Sequence, residues 1–175
     1  MKKTDRLKKE AEKTLEKIRG IARHIRNVED NCLLLGEKLI DLGEIDLGHR
    51  LIANGFVHDA SKFSGIEFEY MAPGQTSQEE GAKLKLRMAV HHHQTTNPHH
   101  PEFWAGGIKE MPDVYLAEFC CDIKARSEEF GTDIRVWIDE SATKKWGFVK
   151  EDKVYKEIMR FVDMICAKPF EQVTQ

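Results

Sequence analysis

Apolar residues recur every three or four positions at Leu15, Ile18, Ile21, Ile25, Val28, Cys32, Leu35 and Leu39, the spacing that keeps one face of an α-helix apolar. The pattern predicts a helix over residues 5–42, closed by Gly43. Gly20 and Gly36 interrupt it at a cost of about 1 kcal/mol each relative to alanine, so a bend or a division is expected there. A short second helix is expected over 45–54, with Gly55 ending it in the left-handed conformation that glycine tolerates. Residues 64–71 read as a short acidic-aromatic helix and 72–76, rich in breakers, as a loop. Ser77 with Glu80 three positions on has the form of a capping box that opens a helix running to about His93. Met111-Pro112-Asp113 starts another helix that extends to Phe130 before Gly131. Residues 132–146 carry mixed short elements, and Val154, Ile158, Phe161, Val162 and Ile165 mark a last amphipathic helix over 153–167, stopped by Pro169. No stretch alternates in the manner of a sheet, so the fold expected is all-α: one compact domain over 1–175 with six to eight helices, a site-bearing core at about 20–130 and C-terminal helices from 132 covering it.

Composition narrows the function classes. With 41% hydrophobic residues, 33% charged residues and a formal net charge of −3, the chain has no general electrostatic pull toward nucleic acid or anionic membrane. No apolar run reaches the ~20 residues that span a bilayer, and the charged first turns lack a signal-peptide core; a cytoplasmic location is expected. Cys32, Cys120, Cys121 and Cys166 have neither zinc-site spacing nor disulfide density, and read as reduced core residues. An exposed stripe on the first helix would permit a homodimer.

Histidine changes the picture, because five of eight lie between His91 and His100, in mid-chain and broken by Gln94-Thr95-Thr96-Asn97-Pro98. Imidazole and carboxylate groups drawn from separate parts of a fold are what divalent metals require. His24 sits at the edge of the first helix's apolar stripe. His58-Asp59 follows an apolar pair, Phe56-Val57, where a helix meets a turn. Asp122, flanked by Cys120, Cys121 and Ile123, reads as facing inward, and a buried carboxylate needs a cation or hydrogen-bond donors.

The order His24, His58-Asp59, Asp122, with Ala22-Arg23-His24-Ile25 and Val57-His58-Asp59-Ala60-Ser61-Lys62 around its first members, resembles the HD-domain superfamily of metal-dependent phosphohydrolases. The resemblance runs from about His24 to Arg126. With His92-His93 and Asn97-Pro98-His99-His100-Pro101-Glu102-Phe103-Trp104 it is similar, more narrowly, to a little-characterised HD-like group of bacteria and phages.

The resemblance implies one or two divalent ions (Mn, Mg, Co, Fe or Zn) held by His24, His58, Asp59 and Asp122, with His92 or His93 and His99 or His100 as further ligands. Within the run, His92 and His99 are the expected metal ligands, His93 and His100 the expected substrate contacts, and His91 the outsider. Lys62, Asp59 and Glu67 are the candidate catalytic groups: Lys62 to offset phosphate charge, Glu67 to orient water or donate a proton. Lys124 and Arg126 share the Asp122 helix and are the candidate phosphate contacts, Arg126 at i+4 projecting near the Asp122 face. The expected activity is hydrolysis of a small phosphomonoester, a nucleotide for preference. Two alternatives stand beside it: a di-iron oxygenase, since a few HD proteins such as myo-inositol oxygenase use this scaffold for oxygen chemistry, and a non-catalytic, metal-stabilised module that binds a nucleotide or a protein partner.

Overall fold

In the computed structural model, which describes residues 3–71 and 80–166, every regular element is helical. In chain order these are α1 (Lys3–Asp41), α2 (Ile45–Val57), α3 (Gly65–Tyr70), α4 (Glu80–Thr96), α5 (Asp113–Phe130), α6 (Ile134–Trp137), α7 (Thr143–Trp146) and α8 (Lys153–Cys166). Short 3-10 turns at Ala60–Phe63, Pro101–Phe103 and Gly107–Glu110 link them, and a π-turn at Ile138–Ala142 joins α6 to α7. The expected all-α bundle is what forms. Among the described residues no helix is long and apolar enough to cross a membrane. The expected breaker loop at 72–76, the capping residue Ser77 and the stop at Pro169 lie outside the described residues.

The C-terminal part of the stripe read from the sequence is the buried face of α1: Val28, Cys32, Leu35 and Leu39 join Leu51 of α2, Phe119 and Cys120 of α5, and Ile158, Phe161 and Val162 of α8 in one core. Ile21 is buried as well, whereas Leu15 and Ile18, expected on the same stripe, are exposed. Full burial of each large aliphatic side chain contributes about 1.5–3 kcal/mol. Residues 4–16 of α1 are exposed throughout, so the tertiary contacts of this helix belong to its C-terminal part.

Two glycines expected to break helices instead let helices touch. α1 runs unbroken through Gly20 and Gly36, and α2 continues past Gly55 to Val57. A Cβ on Gly36 would lie 2.9 Å from the Gly48 carbonyl oxygen, one on Gly48 would lie 2.5 Å from the Gly36 oxygen, and one on Gly55 would lie 2.7 Å from Cys32 Cβ. Close approach of α1 and α2 therefore outweighs the propensity penalty. Gly48→Ala should destabilise the fold by about 1–3 kcal/mol, because the overpacking cost exceeds alanine's intrinsic helix advantage. Urea unfolding measures it, and an unchanged midpoint would contradict the contact.

Candidate metal centre

Four segments bring ligand-type side chains to one place. His24 projects from α1 and Asp122 from α5, helices that pack on each other. His58 follows the last residue of α2. Asp59 then adopts a left-handed backbone (φ 53°, ψ 21°) and is the one non-glycine with positive φ among the described residues. An aspartate tolerates this conformation better than most residues, yet it carries a cost, and such backbone concentrates at functional sites. The fourth segment is the end of α4 and the turn after it. Asn97 Nδ2 donates to the His93 carbonyl at 2.8 Å, Pro98 cannot continue the helix, and Trp104 Nε1 donates to the Pro98 carbonyl at 2.8 Å. The chain folds back there, and His99 and His100 meet His93.

The contacts have the form of a ligand cage. His24 Nε2 lies 3.1 Å from Asp122 Oδ1 and 3.8 Å from Asp59 Oδ2; His58 Nε2 lies 3.3 Å from Asp59 Oδ2 and 4.0 Å from Asp122 Oδ1. On the other side of the same carboxylate, His93 Nε2 and His99 Nε2 stand 3.3 and 3.4 Å from Asp59 Oδ1, and His100 Nε2 stands 2.9 Å from His93 Nε2. Donors about 2.1 Å from a common ion lie about 3.0–3.4 Å apart in octahedral or tetrahedral arrangement, given usual metal–ligand lengths. Most of these spacings fall in or near that range. His24 Nε2, His58 Nε2, His99 Nε2, Asp59 Oδ1 and Asp122 Oδ1 are all buried without a hydrogen-bond partner in the protein. Orphaned buried polar atoms are costly and rare, and here five converge.

The far side of each ring shows why they face inward. His24 Nδ1 donates to Glu129 Oε1 at 2.9 Å, His58 Nδ1 to Glu118 Oε1 at 3.0 Å, and His93 Nδ1 to Glu67 Oε2 at 2.8 Å; His99 Nδ1 lies 3.2 Å from Glu118 Oε1. An ionised carboxylate only accepts, so each hydrogen-bonded Nδ1 carries a proton, and in the neutral ring this leaves the Nε2 lone pair facing the centre. This carboxylate–histidine support is characteristic of metal-ligating imidazoles. Glu118→Gln, which keeps the shape and loses the charge, should weaken metal binding about 10- to 100-fold while leaving the helical circular dichroism unchanged. Isothermal titration with Mn²⁺ measures it, and wild-type affinity in the variant would refute the role.

Charge points the same way. Asp59, Glu67, Glu118 and Asp122 are buried carboxylates, with Lys62 the one buried lysine or arginine among the described residues. Burial raises the Glu118 carboxyl, but bonds from His58 and His99 more than reverse this and bring it down to about 2. Burial likewise raises Asp122, and the neighbouring His24 and His58 hold it well below the usual carboxylate range. For His58, burial works downward while Asp59 and Glu118 push the ring up to about 10. Burial and the adjacent His99 and His93 press His100 down to about 3, which leaves that ring neutral and able to ligate.

Of the residues singled out in the sequence, the structure gathers His24, His58, Asp59, Asp122 and His99 in the cage, with Lys62 against Asp59 Oδ2. It brings in His93 and His100, expected as substrate contacts, as potential ligands: Asp59, His93, His99 and His100 form one group able to share an ion, and His24, His58 and Asp59 another. It leaves out His92, expected as a ligand. Successive helical residues turn by about 100°, so only one ring of His91-His92-His93 meets Asp59; His92 is half exposed and bonds through Nδ1 to Glu67 Oε1. Glu67, expected as a proton donor or water-orienting acid, is 1% exposed and accepts from Ser61, His92 and His93, the position of a ligand support. Lys124 pairs with Glu128, and Arg126 pairs with Glu129 at 3.0 Å, so both expected phosphate contacts are engaged on α5 itself.

Glu118, Glu129 and Asn54, whose Nδ2 donates to Glu118 Oε2 at 2.9 Å, were not identified from the sequence. The signal for the acids was available: positions 118, 122, 125 and 129 share one face of α5, and three of the four are acidic.

No curated protein and no solved structure matches the chain. The profile of one family, described as a family of unknown function (DUF5662), matches residues 13–168, a span that includes every member of the cage, and the chain belongs to that family.

Proposed function

We propose that this chain is a divalent-metal-dependent phosphohydrolase of HD type that acts on a small phosphomonoester or nucleotide at a two-ion centre. One observation carries the reading: Asp59 presents Oδ2 to His24 and His58 and Oδ1 to His93 and His99, so a single carboxylate faces two ligand groups. His24, His58, Asp59 and Asp122 would hold one ion; Asp59, His93, His99 and His100 would hold the other. Bound divalent ions supply Lewis acidity toward a phosphoryl oxygen and lower the pKa of water to near neutrality. The chain's own contribution is orientation and charge. Glu67, Glu118 and Glu129 fix the rings, burial keeps bulk water from the ligands, and the Lys62 ammonium offsets phosphate charge.

The deciding experiment is metal content on chelator-free protein, followed by a phosphate-release screen over nucleotides and p-nitrophenyl phosphate with Mn²⁺, Co²⁺ and Mg²⁺. Release that depends on the metal and is lost in His58→Ala supports the hydrolase. The cage has five imidazoles against two carboxylates, a nitrogen-rich set that also suits iron. Iron near two per chain with oxygen-dependent substrate loss would therefore replace hydrolysis by the oxygenase reading. Metal that raises stability without any turnover would leave a binding module.

A further inference from the structure

The two sides of Asp59 are not equivalent. Three imidazoles, His93, His99 and His100, share an ion-sized group with it, and the facing oxygen, Oδ1, has no hydrogen-bond partner in the protein. On the other side stand two imidazoles, His24 and His58, and a second carboxylate, Asp122. There Oδ2 accepts from the Lys62 ammonium, on a side chain only 11% exposed. Imidazole-rich sets favour borderline transition metals, and carboxylate-richer ones suit harder ions. An ion entering the second group must also meet a fixed positive charge on one of its own donor atoms, in a buried setting where like charges repel strongly.

We propose that the centre is asymmetric by construction: one ion is held tightly by Asp59 Oδ1, His93, His99 and His100, and a second, exchangeable ion competes with the Lys62 ammonium for Asp59 Oδ2. This rests on the two-ion reading above. With one ion bound, Lys62 stands in for the second cation on the shared carboxylate. Entry of the second ion frees the ammonium beside the centre, where it can pair with an anion. Second-ion binding and phosphate binding therefore favour each other, and linkage makes the coupling reciprocal.

The test is a stepwise Co²⁺ titration of chelator-treated protein, followed by absorption, with metal content measured after gel filtration in metal-free buffer. The wild type should retain one ion and bind another in a separate, weaker step that inorganic phosphate strengthens. In Lys62→Met the second dissociation constant should fall by about tenfold or more, the scale of effect expected of groups that tune a ligand, and phosphate should no longer strengthen that step. His100→Ala, which leaves Lys62 untouched, should lose the retained ion and keep the weak step, so the assignment stays testable if Lys62→Met folds poorly. Two ions of equal affinity in the wild type, or a second step unchanged in Lys62→Met, would overturn the asymmetry and leave the two-ion reading standing. No specific binding in any of the three proteins would defeat both.

Discussion

Asp59→Asn is expected to remove one ion outright and weaken the other by more than about 100-fold, beyond the range seen when a supporting partner is lost. The reason is positional. Each carboxylate oxygen faces a different ligand group, and an amide offers one oxygen and a nitrogen that does not ligate. Asparagine accepts the left-handed backbone nearly as well as aspartate, so the φ of 53° at this position should survive and the effect should be on binding. Asp59→Ala loses the same donors and adds about 1–2 kcal/mol of backbone strain. Metal analysis with thermal melts of both variants separates the two contributions; two tightly held ions in Asp59→Asn would rule out the shared-carboxylate geometry.

Metal removal should produce the second large effect. Among the described residues the buried acidic and basic side chains are four carboxylates and one lysine, with the His58 ring as partial compensation, and buried charge that is left unpaired is strongly destabilising. An ion present at a thousand times its dissociation constant contributes about 4 kcal/mol. At about 2–4 °C per kcal/mol for a chain of this size, chelation should lower Tm by roughly 8–16 °C, and Mn²⁺ should restore it. The gap should widen with pH. The protein's own groups raise His58 from 6.5 to about 10: burial opposes the shift, and Asp59 and Glu118 outweigh it. A raised pKa gives the chelated chain stability that is complete below pH 6.5 and is lost as pH passes through about 10. The loaded chain needs the neutral ring, so loading releases that proton and apparent affinity rises with pH. Calorimetry at pH 6.5 and pH 8.5 on chelated and reloaded protein measures the gap; no gap, or one that narrows, would contradict the account.

How much was legible in advance depended on whether the information was local. The extents of α1 and α8 follow from three-four spacing because burial of one face is a property of the segment itself; that of α5, which is buried on most of its circumference, follows from the local signals at its two ends, Pro112 and Gly131. Gly131, read as the stop of α5, does cap it with a φ of +65°. Gly36 and Gly55 look like breakers by residue type, but their role is a contact with another helix, which the segment itself does not encode. The same division runs through the site. The order His24, His58-Asp59, Asp122 marked side chains that the structure does bring together, and they stand out by residue type and context. The choice among His91, His92 and His93 did not follow, since it depends on how α4 is rotated against Glu67 and Asp59.

The sequence by itself determined the helical class, the principal buried faces and the residue types available to hold a cation. These depend on periodicity and side-chain chemistry, which act within a few residues. Only the tertiary structure decided that one acid face of α5 holds His24, His58 and His99 from behind, and that Asp59 divides its two oxygens between two groups of rings. It also decided that Lys62 sits on one of those oxygens. Those relations join residues up to about a hundred positions apart, and no local rule sets the rotation and spacing of packed helices that bring them within a few ångströms.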